Sequence, residues 1–222
     1  EHFVTESDMF CESWDGFGNK TYIGHKLGNH KEFRVSVRGE ACTDWEKYDT
    51  DTNLNMCYRM YSAMTKPSVK MQKYYDVHYA HLEDKLSRYE LATYIMRDLY
   101  ESMIYTPNIT NVDTKACEAF ELGKGVCQDY AHILITYLRM AKYPSRYIAG
   151  LMEGEGQSHA WVETYCNHRW YGLDPTNNML INDRYIVFSK GRDAKDCIIN
   201  QGKFYGCGKQ TQKIRAKVEV LE

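Results

Sequence analysis

Gly123-Lys124-Gly125-Val126-Cys127-Gln128-Asp129-Tyr130-Ala131-His132 is the stretch on which the reading of this chain turns. Two glycines let the backbone bend sharply and keep side chains away from whatever approaches it. The cysteine follows at once and precedes an apolar run over residues 131–141. Leu134, Ile135, Leu138 and Ala141 make one stripe, while Ile133, Tyr137 and Met140 fill the other sides. That spacing predicts a helix apolar nearly all round, which belongs inside. A thiol attacks only as thiolate, and the start of a helix favours negative charge through its unpaired N–H groups and its dipole. N–H groups at the same turn are candidates to hold the oxyanion of a tetrahedral intermediate.

Downstream, Pro144 closes the helix and residues 146–152 read as a buried strand. Glu153-Gly154-Glu155-Gly156 reads as a turn. Two alternating runs follow, His159-Ala160-Trp161-Val162-Glu163-Thr164-Tyr165 and Arg169-Trp170-Tyr171-Gly172-Leu173-Asp174. If Cys166-Asn167 is a two-residue turn, His159 and Asp174 stand directly opposite on one face, about 4.5–5.5 Å apart at Cβ. Moving the turn centre by one residue leaves them diagonal but still on that face. An odd-length loop without a bulge would separate them. Cys127, His159 and Asp174 are therefore expected as nucleophile, general base and acid, and orienting carboxylate. Trp161 shares the His159 face and is expected to wall the site. Tyr105 and Asn108, upstream, are candidate side-chain donors to the oxyanion. Asp129 is expected to cap the helix or anchor a neighbouring loop. His132, off the Cys127 face, is expected to be structural.

Upstream, Ala92, Ile95, Met96, Leu99 and Met103 recur at helical spacing within residues 87–105. Ser87 with Glu90 reads as a capping box, and Pro107 ends the segment. Asp113-Thr114 is expected to start a short helix that Gly123 stops. Residues 1–81 read as a β-rich region, with a strand at 33–37, a turn at 14–19 and a loop over 44–55, although 56–77 is ambiguous. The remainder of the chain carries the three candidate catalytic residues. Tyr185-Ile186-Val187-Phe188 is a short strand, and 213–220 alternates as another.

The 222 residues are enough for one well-buried core with a smaller companion. A formal charge of −2 gives no sign of a nucleic-acid or anionic-membrane partner. No apolar stretch approaches the roughly 20 residues that span a bilayer. The opening Glu1-His2-Phe3-Val4 is not a signal peptide and lacks an initiator Met, so the chain reads as processed or trimmed. Its compartment is unknown, with a soluble, cytoplasmic protein favoured. The 19 tyrosines fit half-buried sheet surfaces, or else an aromatic-lined groove. Eight cysteines form no CxxC pair and read as mostly reduced, with Cys197–Cys207 the plausible disulfide in an oxidising compartment. His78 and His81 lack an evident third ligand, and no loop has EF-hand spacing, so neither metal nor cofactor is expected.

The blocks 123–132, 159–163 and Leu173-Asp174-Pro175-Thr176-Asn177-Asn178, in that order, resemble the transglutaminase-like domain of bacteria and archaea. Asp183-Arg184-Tyr185-Ile186 and Gly191-Arg192-Asp193 are similar to that family's tail, and the likeness covers roughly residues 82–222. It implies an α+β, papain-like core: a Cys-bearing helix packed on an antiparallel sheet bearing His and Asp, here with an N-terminal β region. It implies the same roles for Cys127, His159 and Asp174, with a peptide, protein or other amide as substrate. Some bacterial relatives have an N-terminal β-region ending much as residues 16–19 and 33–35 do, which implies that this chain begins inside one. Three functions follow: amide hydrolysis through a Cys127 thioester, glutamine–lysine crosslinking through the same thioester, or a binding module without turnover. The intact set of three residues favours the first two.

Overall fold

The computed structural model of the chain describes residues 2–44, 54–156, 158–206, 208–209 and 211–221. They divide into two compact units, Glu1–Thr43 and Asp44–Glu222. In the first, β1 (His2–Thr5) pairs antiparallel with β4 (Val35–Arg38), and β2 (Met9–Trp14) with β3 (Lys20–His25). The expected turn joins β2 to β3. The Asp15 carboxylate accepts the N–H groups of Phe17 and Asn19, both at 2.8 Å, and Gly18 takes the left-handed conformation at φ 80°. The Phe3 and Tyr22 rings stack at 3.9 Å. Most of the loop expected over 44–55 lies outside the described residues.

The ambiguous segment 56–77 contains helix at its two ends and no strand. A 3-10 turn at Met56–Arg59 precedes α1 (Val69–His78), which Ser68 caps by accepting the Met71 N–H at 3.3 Å. Helix α1 buries only Met71 and Tyr75, so its stripe is too short to declare a period. Both residues, with Tyr79, lie in the same apolar cluster as Leu134 and Tyr137. The expected boundary at 81/82 thus falls within the second unit.

Helix α2 (Arg88–Ser102) has the predicted capping box. The Glu90 carboxylate accepts the Ser87 N–H at 2.8 Å, and the Ser87 hydroxyl accepts the Glu90 N–H at 3.3 Å. Next, β5 (Ile104–Tyr105) lies parallel to β6 (Lys124–Gly125), with α3 (Ala116–Leu122) between them in the chain. Helix α3 starts later than expected, because Asn111 and Thr114 close a turn of their own. Gly123 ends it, as expected, in the left-handed region at φ 62°. Helix α4 (Cys127–Met140) follows immediately.

The remaining strands are β7 (Ser145–Met152), β8 (Gly154–Gly156), β9 (His159–Cys166), β10 (Arg169–Asp174), β11 (Met179–Leu180), β12 (Tyr185–Gly191) and β13 (Ala216–Val218). Five form one antiparallel sheet in the order β11-β10-β9-β7-β12. The 153–156 stretch, expected as a turn, contains a strand because β13 pairs with it. The strand expected over 213–220 is confined to β13.

Alternation sorts the sheet's two faces. Tyr147, Ala149, Ala160, Val162 and Leu173 share one cluster with the buried side of α4. Ile148 and Trp161 lie on the other face with Ile181 and Tyr185. Further along that face Arg146 and Glu163 form a buried ion pair, with the guanidinium 4.1 Å from the centre of the Trp170 ring. Only part of the tyrosine excess lies on the strands expected for it, such as Tyr147, Tyr165, Tyr171 and Tyr185; another part gathers among the helices. Tyr74, Tyr75 and Tyr79 ring Tyr137 at 5.2–6.3 Å, and both Tyr74 and Tyr79 donate to Asp98. Cys197 is buried, its thiol 3.7 Å from the Tyr147 carbonyl, while Cys207 lies outside the described residues. Among the described residues no helix is long and apolar enough to cross a membrane.

Candidate active site

Cys127 is the first residue of α4, and the close fit of the preceding turn sets its place. A Cβ on Gly125 would lie 2.5 Å from Asp129 Oδ2, so only glycine fits there. That oxygen accepts the Val126 N–H at 2.8 Å and the Thr110 hydroxyl at 2.6 Å. Asp129 therefore performs both expected tasks, capping the helix and fastening the loop after β5. Burial raises its pKa, and the Thr110 and Val126 bonds partly offset this.

His159 opens β9 and Asp174 ends β10. The turn between these strands is Asn167-His168, at φ 50° and 63°, the left-handed pair that a type I′ hairpin requires. The expected turn at Cys166-Asn167 is displaced by one residue, since Asn and His tolerate positive φ better than Cys does. The ladder accordingly sets Leu173 against Val162 and Gly172 against Glu163. His159 and Asp174 are diagonal rather than opposite, and they share a face. The carboxylate still reaches the ring, with Oδ2 2.8 Å from Nε2.

Asp174 is saturated with donors. Oδ1 accepts the N–H groups of Thr176 and Asn177 at 2.9 and 3.2 Å, which is the turn-capping role open to an Asp before Pro. Besides His159, Oδ2 accepts Asn177 Nδ2 at 2.7 Å and the Tyr185 hydroxyl at 2.9 Å. Burial raises the Asp174 pKa, but the His159 bond and charge outweigh it with help from Asn177 and Tyr185, leaving it below the usual range.

Cys127 stands close enough to the His159 ring for its thiol and its charge to act on the imidazole. With Nε2 engaged by Asp174, Nδ1 is the ring nitrogen left for the sulfur. Burial lowers the imidazole pKa, while the bonds and charges of Asp174 and Cys127 raise it, to about 9 overall. The thiol is half-buried and the His159 side chain is 13% exposed, so the pair meets solvent.

Trp161 is fully buried beneath this pair, its ring 6.3 Å from His159 and 5.4 Å from Tyr185. It backs the imidazole from the interior. Tyr105 pairs with Gly125 across the β5–β6 ladder, and the pKa of its half-exposed hydroxyl is raised by burial and then by the Cys127 charge. Asn108 is exposed at φ 64° in the loop beyond. His132 is buried with its pKa lowered to about 4 by burial, and its Nε2 accepts the Ala194 N–H at 3.1 Å. It fastens the segment after β12 to α4. His78 stacks on Tyr74 at 4.0 Å. Sequence reasoning missed Asn177 and Tyr185. Asn177 carried a signal, since an amide three residues past Asp174 can turn back on it; Tyr185 carried only its place in a strand and in the 183–186 block, neither of which names its target.

Residues 78–175 match the family model described as the Transglutaminase-like superfamily, and Cys127, His159 and Asp174 all fall inside that span. The uncharacterized protein ML0607 of Mycobacterium leprae is 34% identical over 114 residues, covering 47% of this chain and 40% of that protein. The uncharacterized protein Mb2599c of Mycobacterium bovis is 32% identical over 147 residues, covering 57% and 46%. The matches thus span less than half the length of these relatives. Among solved structures, "a Putative Cysteine Protease from Cytophaga hutchinsonii" superposes with a TM-score of 0.66 at 18% identity, over 89% of this chain and 72% of that one. That likeness shows the fold: an α+β core of the papain and transglutaminase type.

Proposed function

From the transglutaminase-like domain that residues 78–175 carry, we propose that this protein performs acyl transfer on amide bonds through a thioester at Cys127, with water as the acceptor. The observation that carries the reading is the 2.8 Å contact between His159 and Asp174, with Cys127 in reach of the same ring.

The steps follow from the groups present. The thiol proton passes to His159, and Asp174 holds the imidazolium so formed. The sulfur attacks the carbonyl carbon of the amide, and the oxygen becomes an oxyanion. The N–H groups of Cys127 and Gln128, at the first turn of α4, are the donors proposed for that charge. His159 returns its proton to the leaving nitrogen as the C–N bond breaks, releasing an amine and leaving the acyl group on sulfur. A water then attacks the thioester with His159 as base, and the products are a carboxylic acid and the restored thiol.

The same thioester also serves an amine acceptor. Solvent access to the thiol supports water, because only a narrow, dry cleft disfavours it. The test is activity on a broad peptide and amide library, with mass spectrometry for an acyl adduct on Cys127. Turnover lost in Cys127→Ala, with product unchanged by saturating primary amine, is the expected result. Amine incorporation would replace hydrolase by transferase, and undiminished turnover in Cys127→Ala would end the proposal.

A further inference from the structure

We propose that Tyr185 is a positioning residue for the Cys127–His159–Asp174 chemistry, acting through its hydroxyl on the Asp174 carboxylate. This rests on the acyl-transfer reading above and assigns to that site a residue beyond the matched span of 78–175.

The topology makes the contact informative. Strand β12 pairs with β7 at one edge of the sheet, whereas Asp174 belongs to β10, with β9 and β7 lying between. Tyr185 reaches Asp174 because the connection from β11 to β12 folds over the His159 face, with Ile181 buried against Ile148 and Trp161. The Tyr185 ring stands edge-on to Trp161 at 5.4 Å and 6.3 Å from the His159 ring. Its hydroxyl donates to Oδ2 at 2.9 Å, to the same oxygen that holds His159 Nε2.

Sharing one oxygen has a definite consequence. Each donor takes part of the carboxylate's charge, so the Tyr185 bond moderates the pull of Asp174 on the imidazolium and fixes the direction from which it acts. The charged and titratable groups facing His159 are Cys127 from α4, Asp174 from β10 and Tyr185 from β12. Without the hydroxyl, Oδ2 keeps His159 and Asn177 as donors. It becomes more basic and freer to turn, so His159 holds its proton more tightly and less accurately.

The test is Tyr185→Phe, which keeps the ring and removes one oxygen, with Ile181→Val as a packing control in the same cluster. Two readouts need no substrate: the His159 pKa by NMR of histidine-labelled protein, and the rate of Cys127 alkylation by iodoacetamide across pH. Tyr185→Phe should raise the His159 pKa by roughly half a unit to one unit, the size of one net hydrogen bond. The upper transition of the alkylation profile should move with it, while Ile181→Val leaves both in place. An unmoved His159 in Tyr185→Phe, equal shifts in both variants, or a Tyr185→Phe protein that does not fold would each overturn the proposal. Cys127→Ser separates this from failure of the underlying reading. If His159 titrates identically in Cys127→Ser and the parent, thiol and imidazole are uncoupled, whatever Tyr185 does.

Discussion

Asp174 stands diagonally across the β9–β10 hairpin from His159 and still meets it, Oδ2 to Nε2 at 2.8 Å. Direct opposition is therefore unnecessary; what matters is that both side chains leave the sheet on one face. Asp174→Asn preserves shape and removes the charge that holds the imidazolium. We expect turnover to fall by at least two orders of magnitude and the His159 pKa to fall from about 9. Steady-state kinetics and NMR titration measure the two effects; an unchanged His159 pKa would mean that this carboxylate does not orient the ring.

The same pair makes stability depend on pH with a definite sign. The folded pKa of His159 is raised from 6.5 to about 9, so its contribution is complete below about 6.5 and is lost as pH rises through about 9. The folded pKa of Asp174 is depressed, so its contribution is present above the unfolded carboxylate value and is lost as pH falls through the folded one. Urea unfolding across pH should show both losses in the parent and a flatter profile in Asp174→Asn. Parallel profiles would contradict the linkage.

Much of this arrangement was legible in the sequence, and the failures have physical causes. Local signals were reliable: Ser87 with Glu90 as a capping box, Gly123 as a helix stop, and Cys127 at the head of an apolar helix each depend on residues within one or two turns. The hairpin centre was misplaced by one residue because the choice depends on which residues take positive φ, and Asn167 with His168 outcompetes Cys166 with Asn167. Residues 153–156 held a strand that becomes visible only with its partner some sixty positions later, at 216–218. Tyr185 was unreadable for the same reason, since its target lies across the sheet.

Gly150 pairs with His159, where a Cβ would lie 2.2 Å from the Ile186 carbonyl oxygen and 2.3 Å from the Trp161 ring. Neither neighbour can move cheaply, because one is backbone and the other is wholly buried. Gly150→Ala should cost about 1–3 kcal/mol of stability and disturb the His159 end of β9. Thermal unfolding and the alkylation rate of Cys127 check this; a variant matching the parent in both would show that β7 and β12 have slack here.

Arg146 and Glu163 form an ion pair with side chains only 3% and 2% exposed. Removing one charge leaves the other buried opposite a neutral side chain. Glu163→Gln or Arg146→Met alone should cost about 3–5 kcal/mol, and the pair Arg146→Met with Glu163→Leu should recover much of that loss. Chemical denaturation of the three variants measures it. Additive losses in the double variant would mean that the two charges act independently.

The proposed chemistry requires that His159 activate the sulfur at position 127. The most direct test is the iodoacetamide alkylation rate of Cys127 from pH 5 to 10, in the parent and in His159→Ala, read by peptide mass spectrometry. The parent should react well below the range of an ordinary thiol, whose pKa is near 8.5. His159→Ala should lose that low-pH reactivity and follow a single ordinary thiol curve. Identical curves for the two proteins, both rising only above about pH 8, would contradict the claim.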